Sequence, residues 1–421
     1  MKIAVILPLL LAAAGMGTGA YLYAAPTVGA PADTEPGGDA VSTQEAQASP
    51  DEYAWKVFEY ISRQATPGSA GVPDPAKPIT QYDPDQPVAW ETWALASGDG
   101  ITQNGSEVYK EDGSRPAEWA QLVRAPGTAK LFSANLKSAA VQQQLFLNKL
   151  ESMPKGLDST RRANLSQSTA IAPLNPDQDF EVRLNQAAFE FVRTNELYNI
   201  EGLQHQLALA RTSGKRDLVK FPNPAKEIKA DWILARNPTS LSQDEQTRFH
   251  WRKVNGKYYL LVALHVTTRD LDNWFWADFS QEDYETTPGP ALPSRDATTR
   301  GAGATHRGDK DGERIELRGT KWAHYRLRGT QTSFVTADGA PIIVGNTQIE
   351  FGFADKSSCM TCHFNATVGD GTRPPGVVNR LPAGNRVLGT PDAAQLGTGT
   401  QIDFLQTDFV WSAPFRARHR K

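Results

Sequence analysis

The sequence predicts an α+β fold built from a largely antiparallel sheet, N-terminal helices and a loop-rich C-terminal segment. Two observations favour this class. Amphipathic helical stripes lie mostly before residue 225, whereas strand-like runs joined by tight turns lie mostly after it. The 28 prolines and 34 glycines among 421 residues predict long loops, which argues against a compact helical bundle.

The N-terminus predicts export to the periplasm. Lys2 precedes an apolar run from Ile3 to Ala24 with small residues beyond it, which is the pattern of a secretory signal. We expect residues 1–25 to be a signal peptide or, because about 20 apolar residues can span a bilayer, a membrane anchor. Residues 26–50 are rich in Pro, Gly, Ala and acids without periodicity, which predicts a disordered linker.

Residues 51–224 are predicted to form a helical and loop-rich part. The segment 51–65 places Ala54, Phe58 and Ile61 on one face of a helix, and a Pro-Gly pair ends it. The other elements predicted here are a helix over 138–153, a strand over 179–185, and helices over 186–195 and 202–213.

Residues 225–421 are predicted to form the β-rich part. The runs 247–254 and 257–268 flank Asn255-Gly256, which is a strong hairpin signal. The second run is apolar on both faces, so we expect it to lie centrally in the sheet. The other predictions are a strand over 227–235, a continuation of the sheet at 275–279, a long loop over 280–321, and a strand pair of 322–335 with 341–353.

Net charge bears on possible nucleic-acid partners, and the cysteine count bears on possible disulfides. The net charge is -3 and the chain has no long basic run, so no nucleic-acid partner is predicted. Only two cysteines occur, and both lie in one short motif. No disulfide is therefore expected to join distant parts of the fold.

That motif is Cys359-Met-Thr-Cys362-His363, the C-x-x-C-H pattern of c-type haem attachment. Two thiols three residues apart lie on one side of a helical turn and can add to the two haem vinyl groups, and the following imidazole can bind the iron. The sequence thus predicts one covalently attached haem c, and predicted export agrees because this attachment occurs outside the cytoplasm. A thioredoxin-like dithiol and a Cys2His zinc site are the alternatives, although the zinc site lacks an obvious fourth ligand.

The second axial ligand of the iron is less apparent, because no methionine follows the motif. His265 is the first candidate, since it interrupts an apolar strand and a buried imidazole needs a partner. The alternatives are a core histidine that donates to a backbone carbonyl, and an iron with an open sixth position. His324, in another predicted strand, is the second candidate, and the other candidates upstream of the motif are His205, His250, His306 and Met153.

Two further groups of residues are candidates for contact with a haem. An aromatic cluster could wall the site or simply form sheet core; it consists of Trp274, Phe275, Trp276 and Phe279. Three arginines in the loop after the motif could pair with haem propionates or lie on the surface; they are Arg373, Arg380 and Arg386.

The chain resembles a group of exported bacterial proteins described as cytochrome c family proteins. The resemblance covers about residues 51 to 415 and rests on EYAWKVFEYI, VAWETW, FEVRLNQAAFEFVRTNELYN, EIKADWIL, LVALHVTTRDLDNWFWADF, YRLRGTQTSF, GNTQIEFGFADKSSCMTCH and LQTDFVWSAPFRAR. It implies haem binding through Cys359, Cys362 and His363, and electron transfer. His265 lies in a Leu-His-Val strand that the group shares, which favours a role beside the haem. The resemblance implies no substrate.

Three functions are compatible with these predictions. The first is electron transfer by a monohaem c-type cytochrome with a redox partner in the cell envelope. The second is a haem enzyme, an oxidoreductase acting on a small molecule at an open iron site, and the third is a haem-based sensor or binding module. The chain is much longer than the roughly 100 residues that a simple carrier cytochrome needs, so the sequence leaves open whether the protein is an enzyme.

Overall fold

The structure is a computed structural model. It describes residues 35–97, 106–122, 178–254, 256–284, 317–346, 348–350, 357–369 and 388–421, together with residues 296, 298, 314 and 354. The predicted leader at 1–25 and the predicted helix at 138–153 lie outside these residues. Among the helices that are described, none combines the length and the apolar character needed to cross a membrane.

One antiparallel sheet of seven strands organises the described residues and confirms the predicted α+β class. The strands are β1 (Ala94–Ser97), β2 (Gln178–Leu184), β3 (Lys226–Leu234), β4 (Trp251–Val254), β5 (Lys257–Thr268), β6 (Phe275–Gln281) and β7 (Tyr325–Gln331). Their order across the sheet is β1-β2-β3-β5-β6-β7, and β4 pairs with the start of β5. The predicted central position of the strand 257–268 is confirmed, because β5 pairs with β3 on one edge and with β6 on the other.

Eight helices are present in the described residues. They are α1 (Ala40–Ala48), α2 (Pro50–Ser62), α3 (Trp119–Leu122), α4 (Gln186–Thr194), α5 (Ile200–Ser213), α6 (Gln243–Arg248), α7 (Cys359–Phe364) and α8 (Ser412–Arg416). Three of them, α2, α4 and α5, confirm the helices predicted in the N-terminal part. Asn185 and Asn199 cap α4 and α5 through side-chain oxygens, and Gly214 ends α5 in the left-handed conformation at φ 69°.

The prediction of a disordered linker is wrong for residues 35–50, which fold against the body of the protein. The Asp39 side chain accepts from the Ser42 amide at 2.7 Å and caps α1. The Asp270 carboxylate accepts from the Gly38 amide at 2.9 Å and from the Tyr53 hydroxyl at 2.5 Å. Because a distant carboxylate supplies these bonds, the local composition could not indicate them.

The predicted hairpin of 247–254 with 257–268 is confirmed, because β4 pairs antiparallel with β5 from Trp251–Leu260 to Val254–Lys257. Its first strand is shorter than predicted: α6 extends to Arg248, and β4 starts at Trp251. The strand predicted over 341–353 is wrong in its described residues. In the segment 341–353, the described residues form only isolated bridges, from Pro341 to Val335 and from Val344 to Ser358.

The two faces of the sheet differ in polarity, and the C-x-x-C-H motif lies on the polar face. Alternate residues of β6, such as Phe275 and Phe279, join an apolar core with α2. The opposite face is also buried but carries polar side chains, including His265 and Asp278. Described residues of the C-terminal part lie on this face: His363 contacts Trp276 of β6, and Ser412 donates to Glu227 of β3. The motif helix α7 and helix α8 therefore lie on the polar side of the sheet.

Candidate functional site

The motif helix α7 is short and is held at its first turn by the edge strand β7. Ser358 caps α7, and its hydroxyl oxygen accepts from the Thr361 amide at 3.4 Å. The Gln331 side chain, at the end of β7, donates to Ser358 Oγ at 2.8 Å and accepts from the Met360 amide at 3.1 Å. These bonds satisfy amide groups that the first turn of a helix leaves free, and they place the motif on the polar face of the sheet.

The two thiols of the motif lie one helical turn apart. Cys359 is buried and donates to the Val344 carbonyl oxygen at 3.3 Å, whereas Cys362 is half-buried. Burial raises the pKa of the Cys359 thiol well above its ordinary value, so this thiol is neutral at physiological pH. A reactive dithiol needs a thiolate, which makes the thioredoxin-like alternative less suitable for this pair.

A short hydrogen bond orients the His363 ring. Its Nδ1 lies 2.7 Å from the Phe409 carbonyl oxygen, which can only accept. The proton of the neutral imidazole is therefore on Nδ1, and Nε2 keeps its lone pair. Histidines that bind a metal through Nε2 usually have this arrangement, because a carbonyl on Nδ1 fixes the tautomer and the ring plane.

The Phe409 carbonyl is presented by an unusual turn. Asp408 and Phe409 have φ angles of 49° and 68°, a left-handed conformation that is costly for residues other than glycine. The Asp408 carboxylate holds the turn by accepting from the Phe221 amide at 2.8 Å and from Arg269 Nε at 3.0 Å. No local pattern singles out these residues, although Arg269, Asp408 and Phe409 lie in segments that carry the resemblance.

His265 faces His363, as the first candidate for a second ligand should. The two ring centroids are 6.4 Å apart and the ring planes differ by 14°. Only 5% of His265 is exposed, and neither ring nitrogen has a hydrogen-bond partner within the described chain. Burial lowers the pKa of His265 to about 3, and proximity to His363 acts in the same direction, so the ring is neutral and can bind a metal.

The centroid separation of these nearly parallel rings can be compared with that of two imidazoles bound end to end to one metal ion. A metal–nitrogen bond of about 2 Å, with the nitrogen about 1 Å from its ring centroid, puts opposed imidazoles about 6 Å apart between centroids. The observed value is 6.4 Å. The two thiols of one helical turn, the His363 ring, and the His265 ring that has no hydrogen-bond partner among the described residues are the groups that would hold a haem c. Within the described residues, no group of three or more His, Cys, Asp and Glu side chains is arranged to hold a metal ion.

The other candidate ligands lie elsewhere or are already paired. His250 contacts the buried Glu91 carboxylate at 3.1 Å, and His324 contacts Glu282 at 2.8 Å. His205 is exposed, and His419, which follows the motif, pairs with an exposed glutamate. The remaining candidates, which lie outside the described residues, are His306, Met153, Arg373, Arg380 and Arg386.

The predicted aromatic cluster is divided between the two faces of the sheet. Trp276 contacts the His363 ring, with centroids 4.5 Å apart. Trp274 packs against Phe221 on the same side, whereas Phe275 and Phe279 point into the apolar core behind the sheet. Only Trp276 therefore lines the site, and the cluster is otherwise plain core.

Comparison of the chain with family models, with curated proteins and with solved structures gave no match. The resemblance to cytochrome c family proteins stays a prediction that rests on the residues quoted for it.

Proposed function

We propose that the protein is an exported monohaem c-type cytochrome that transfers single electrons to or from a redox partner in the cell envelope. The observation that carries the proposal is the buried imidazole of His265, which has no hydrogen-bond partner among the described residues and lies 6.4 Å from the ring of His363. Export and periplasmic location are proposed from residues 1–25 of the sequence.

Each residue of the site has a separate role in this proposal. Cys359 and Cys362 would attach the haem covalently, and His363 and His265 would hold its iron. The bound haem iron supplies one-electron chemistry between its ferric and ferrous states. The Phe409 carbonyl orients His363, and Trp276 packs on its ring.

Two histidine ligands favour electron transfer over catalysis. An iron bound by two imidazoles has no position left for a small molecule, so it changes charge without binding a substrate. An enzyme or a gas sensor needs an open or easily opened position. Because His265 would hold the iron together with His363 in this proposal, we rank electron transfer above both alternatives.

Aromatic contacts connect the site with the protein surface, which also supports an electron-transfer role. The Trp411 ring lies 6.5 Å from the His363 ring and stacks on Phe415 with 4.6 Å between centroids. Phe415 is 41% exposed. A redox partner that contacts Phe415 would be close to a chain of rings ending at a proposed iron ligand.

The first experiment tests whether the haem is attached. The full chain is produced with the haem-attachment machinery, denatured, and examined by absorption for covalently bound haem. We expect haem in the wild type and its loss in the variant with both Cys359→Ser and Cys362→Ser. A wild-type chain without covalent haem would contradict the proposal and favour the dithiol or zinc alternatives.

The second experiment tests the two-histidine iron with carbon monoxide. The reduced wild type should not bind carbon monoxide, whereas His265→Ala should bind it at once and His265→Met should restore a closed, spectrally different site. His324→Gln is the matched control, because it changes another half-buried histidine beside the sheet that contacts Glu282. Immediate binding by the wild type would instead indicate an open site and favour the haem enzyme or sensor.

A further inference from the structure

Asp278 has a buried carboxylate oxygen that points toward His265. The two residues are direct cross-strand partners on β5 and β6, and their side chains lie on the same face of the sheet. The distance from His265 Nδ1 to Asp278 Oδ2 is 4.0 Å. Neither atom has a hydrogen-bond partner in the described part of the chain. Buried polar atoms rarely lack a hydrogen-bond partner, so the proximity of His265 Nδ1 and Asp278 Oδ2 points to a role that the two residues share.

The other oxygen of Asp278, Oδ1, is held by Asn346, which restricts rotation of the carboxyl group. Asn346 donates to Asp278 Oδ1 at 2.7 Å. The same Asn346 amide group also donates to the Phe279 carbonyl at 3.1 Å and to Ser280 Oγ at 3.2 Å. The Asn346 backbone amide donates to a Glu350 carboxylate oxygen at 2.7 Å. This network holds Oδ2 on the side of His265.

If His265 bound iron through Nε2, its Nδ1–H group would become a hydrogen-bond donor toward Asp278 Oδ2. When Nε2 of a neutral imidazole binds iron, the ring proton is on Nδ1, and Nδ1 becomes a hydrogen-bond donor. His363 already has its Nδ1 acceptor in the Phe409 carbonyl, whereas His265 has none within hydrogen-bond distance among the described residues. Asp278 Oδ2, 4.0 Å from His265 Nδ1, could accept from this donor as the Phe409 carbonyl does from His363.

We propose that Asp278 is the positioning residue of His265: its Oδ2 accepts the Nδ1 proton of the iron-bound imidazole and so fixes the ring plane and strengthens the ligand. The inference rests on the proposed function. A stronger imidazole donor favours the ferric iron over the ferrous iron. Asp278 should therefore lower the reduction potential of the protein.

The test compares the haem-loaded wild type with Asp278→Leu, which removes the acceptor at similar size, and Asp278→Asn, which keeps an amide oxygen. We measure the midpoint potential by spectroelectrochemistry and the ferric iron by electron paramagnetic resonance. Asp278→Leu should weaken the preference for ferric iron about tenfold, a rise of about 59 mV for one electron. Asp278→Asn should give a smaller rise, and both should change the ferric resonance.

The possible results separate this inference from the proposed function. Equal rises for Leu and Asn would indicate an effect of charge alone, and unchanged potentials and resonances would indicate a structural residue; either result overturns the role of Asp278. If Asp278→Leu does not fold, Asp278→Asn must still raise the potential for the inference to hold. A wild type that lacks haem or binds carbon monoxide would overturn the proposed function instead.

Discussion

The hydrogen bond that orients His363 depends on one strained residue pair, Asp408-Phe409. Left-handed backbone at such residues costs about 1–3 kcal/mol each, and it persists only when other bonds hold it. The bonds come from the Asp408 carboxylate, which is buried against Arg269 and the Phe221 amide. Burial raises the pKa of Asp408 while Arg269 acts to lower it, so the guanidinium opposes loss of the negative charge.

Removal of Arg269 should therefore destabilise the whole protein. Arg269→Ala leaves the buried Asp408 carboxylate without its cation, and we expect a loss of about 3–5 kcal/mol in the free energy of unfolding. Urea denaturation measures this change. The matched control is Lys56→Ala at the exposed pair with Glu45, which should cost under about 1 kcal/mol. Similar losses in both variants would show that the pair does not hold the turn.

The motif helix α7 has six residues, too few to be stable alone, because helices shorter than about 12 residues are marginal in water. Its stability comes from the cap at Ser358 and from the Gln331 side chain of β7. At the scale of elements, the edge strand β7 therefore stabilises the motif helix α7, although 27 positions separate Gln331 from Ser358 in sequence.

The cap of α7 should be worth more than the cap of an exposed helix. Ser358→Ala removes a buried cap oxygen that also accepts from Gln331, so we expect a loss of about 2 kcal/mol in unfolding free energy. Ser242→Ala, at the exposed cap of α6, is the control and should cost about 1 kcal/mol or less. Both are measured by urea denaturation. If Ser358→Ala is as mild as the control, the cap does not secure the motif.

At the scale of the whole molecule, the sheet separates an apolar core from a buried polar layer. On the polar face, Glu227 accepts from the Ser412 hydroxyl at 3.0 Å, and Ser412 in turn contacts the Tyr109 hydroxyl at 3.2 Å. Burial raises the pKa of Glu227 from its ordinary value of 4.5 to about 7, although Ser412 and Lys229 act to lower it. Ser412, the first residue of α8, is thus attached to the sheet through the Glu227 carboxyl group, which is mainly protonated below about pH 7.

Glu227 should make the stability of the protein depend on pH. Because its pKa is raised by folding, its stabilising contribution is complete below about pH 4.5 and is lost as the pH rises through about 7. Relative to Glu227→Gln, which keeps an acceptor for Ser412, the wild type should lose roughly 3 kcal/mol of unfolding free energy over this range. Denaturation of both proteins at several pH values measures the difference. A difference that is constant with pH would contradict the raised pKa.

Much of the fold followed from patterns within short stretches of chain. Helical periodicity predicted α2, α4 and α5, and the long apolar run predicted the central strand β5. In the segment 341–353, predicted as a strand, the described residues Ile342 and Val344 pack in or against the core cluster that includes Cys359 and Met360, and pairing is limited to isolated bridges. The ordered start at residues 35–50 was missed because Asp270, far along the chain, supplies its hydrogen bonds.

By itself, the sequence determined the attachment motif and the polar residue in β5, because spacing and residue type express both locally. Only the tertiary structure decided that His265 faces His363, that Phe409 presents its carbonyl to Nδ1, and that Asp278 stands beside His265. The physical reason is that strand register and the left-handed turn set these contacts. Both depend on hydrogen bonds between residues distant in sequence, which no local pattern encodes.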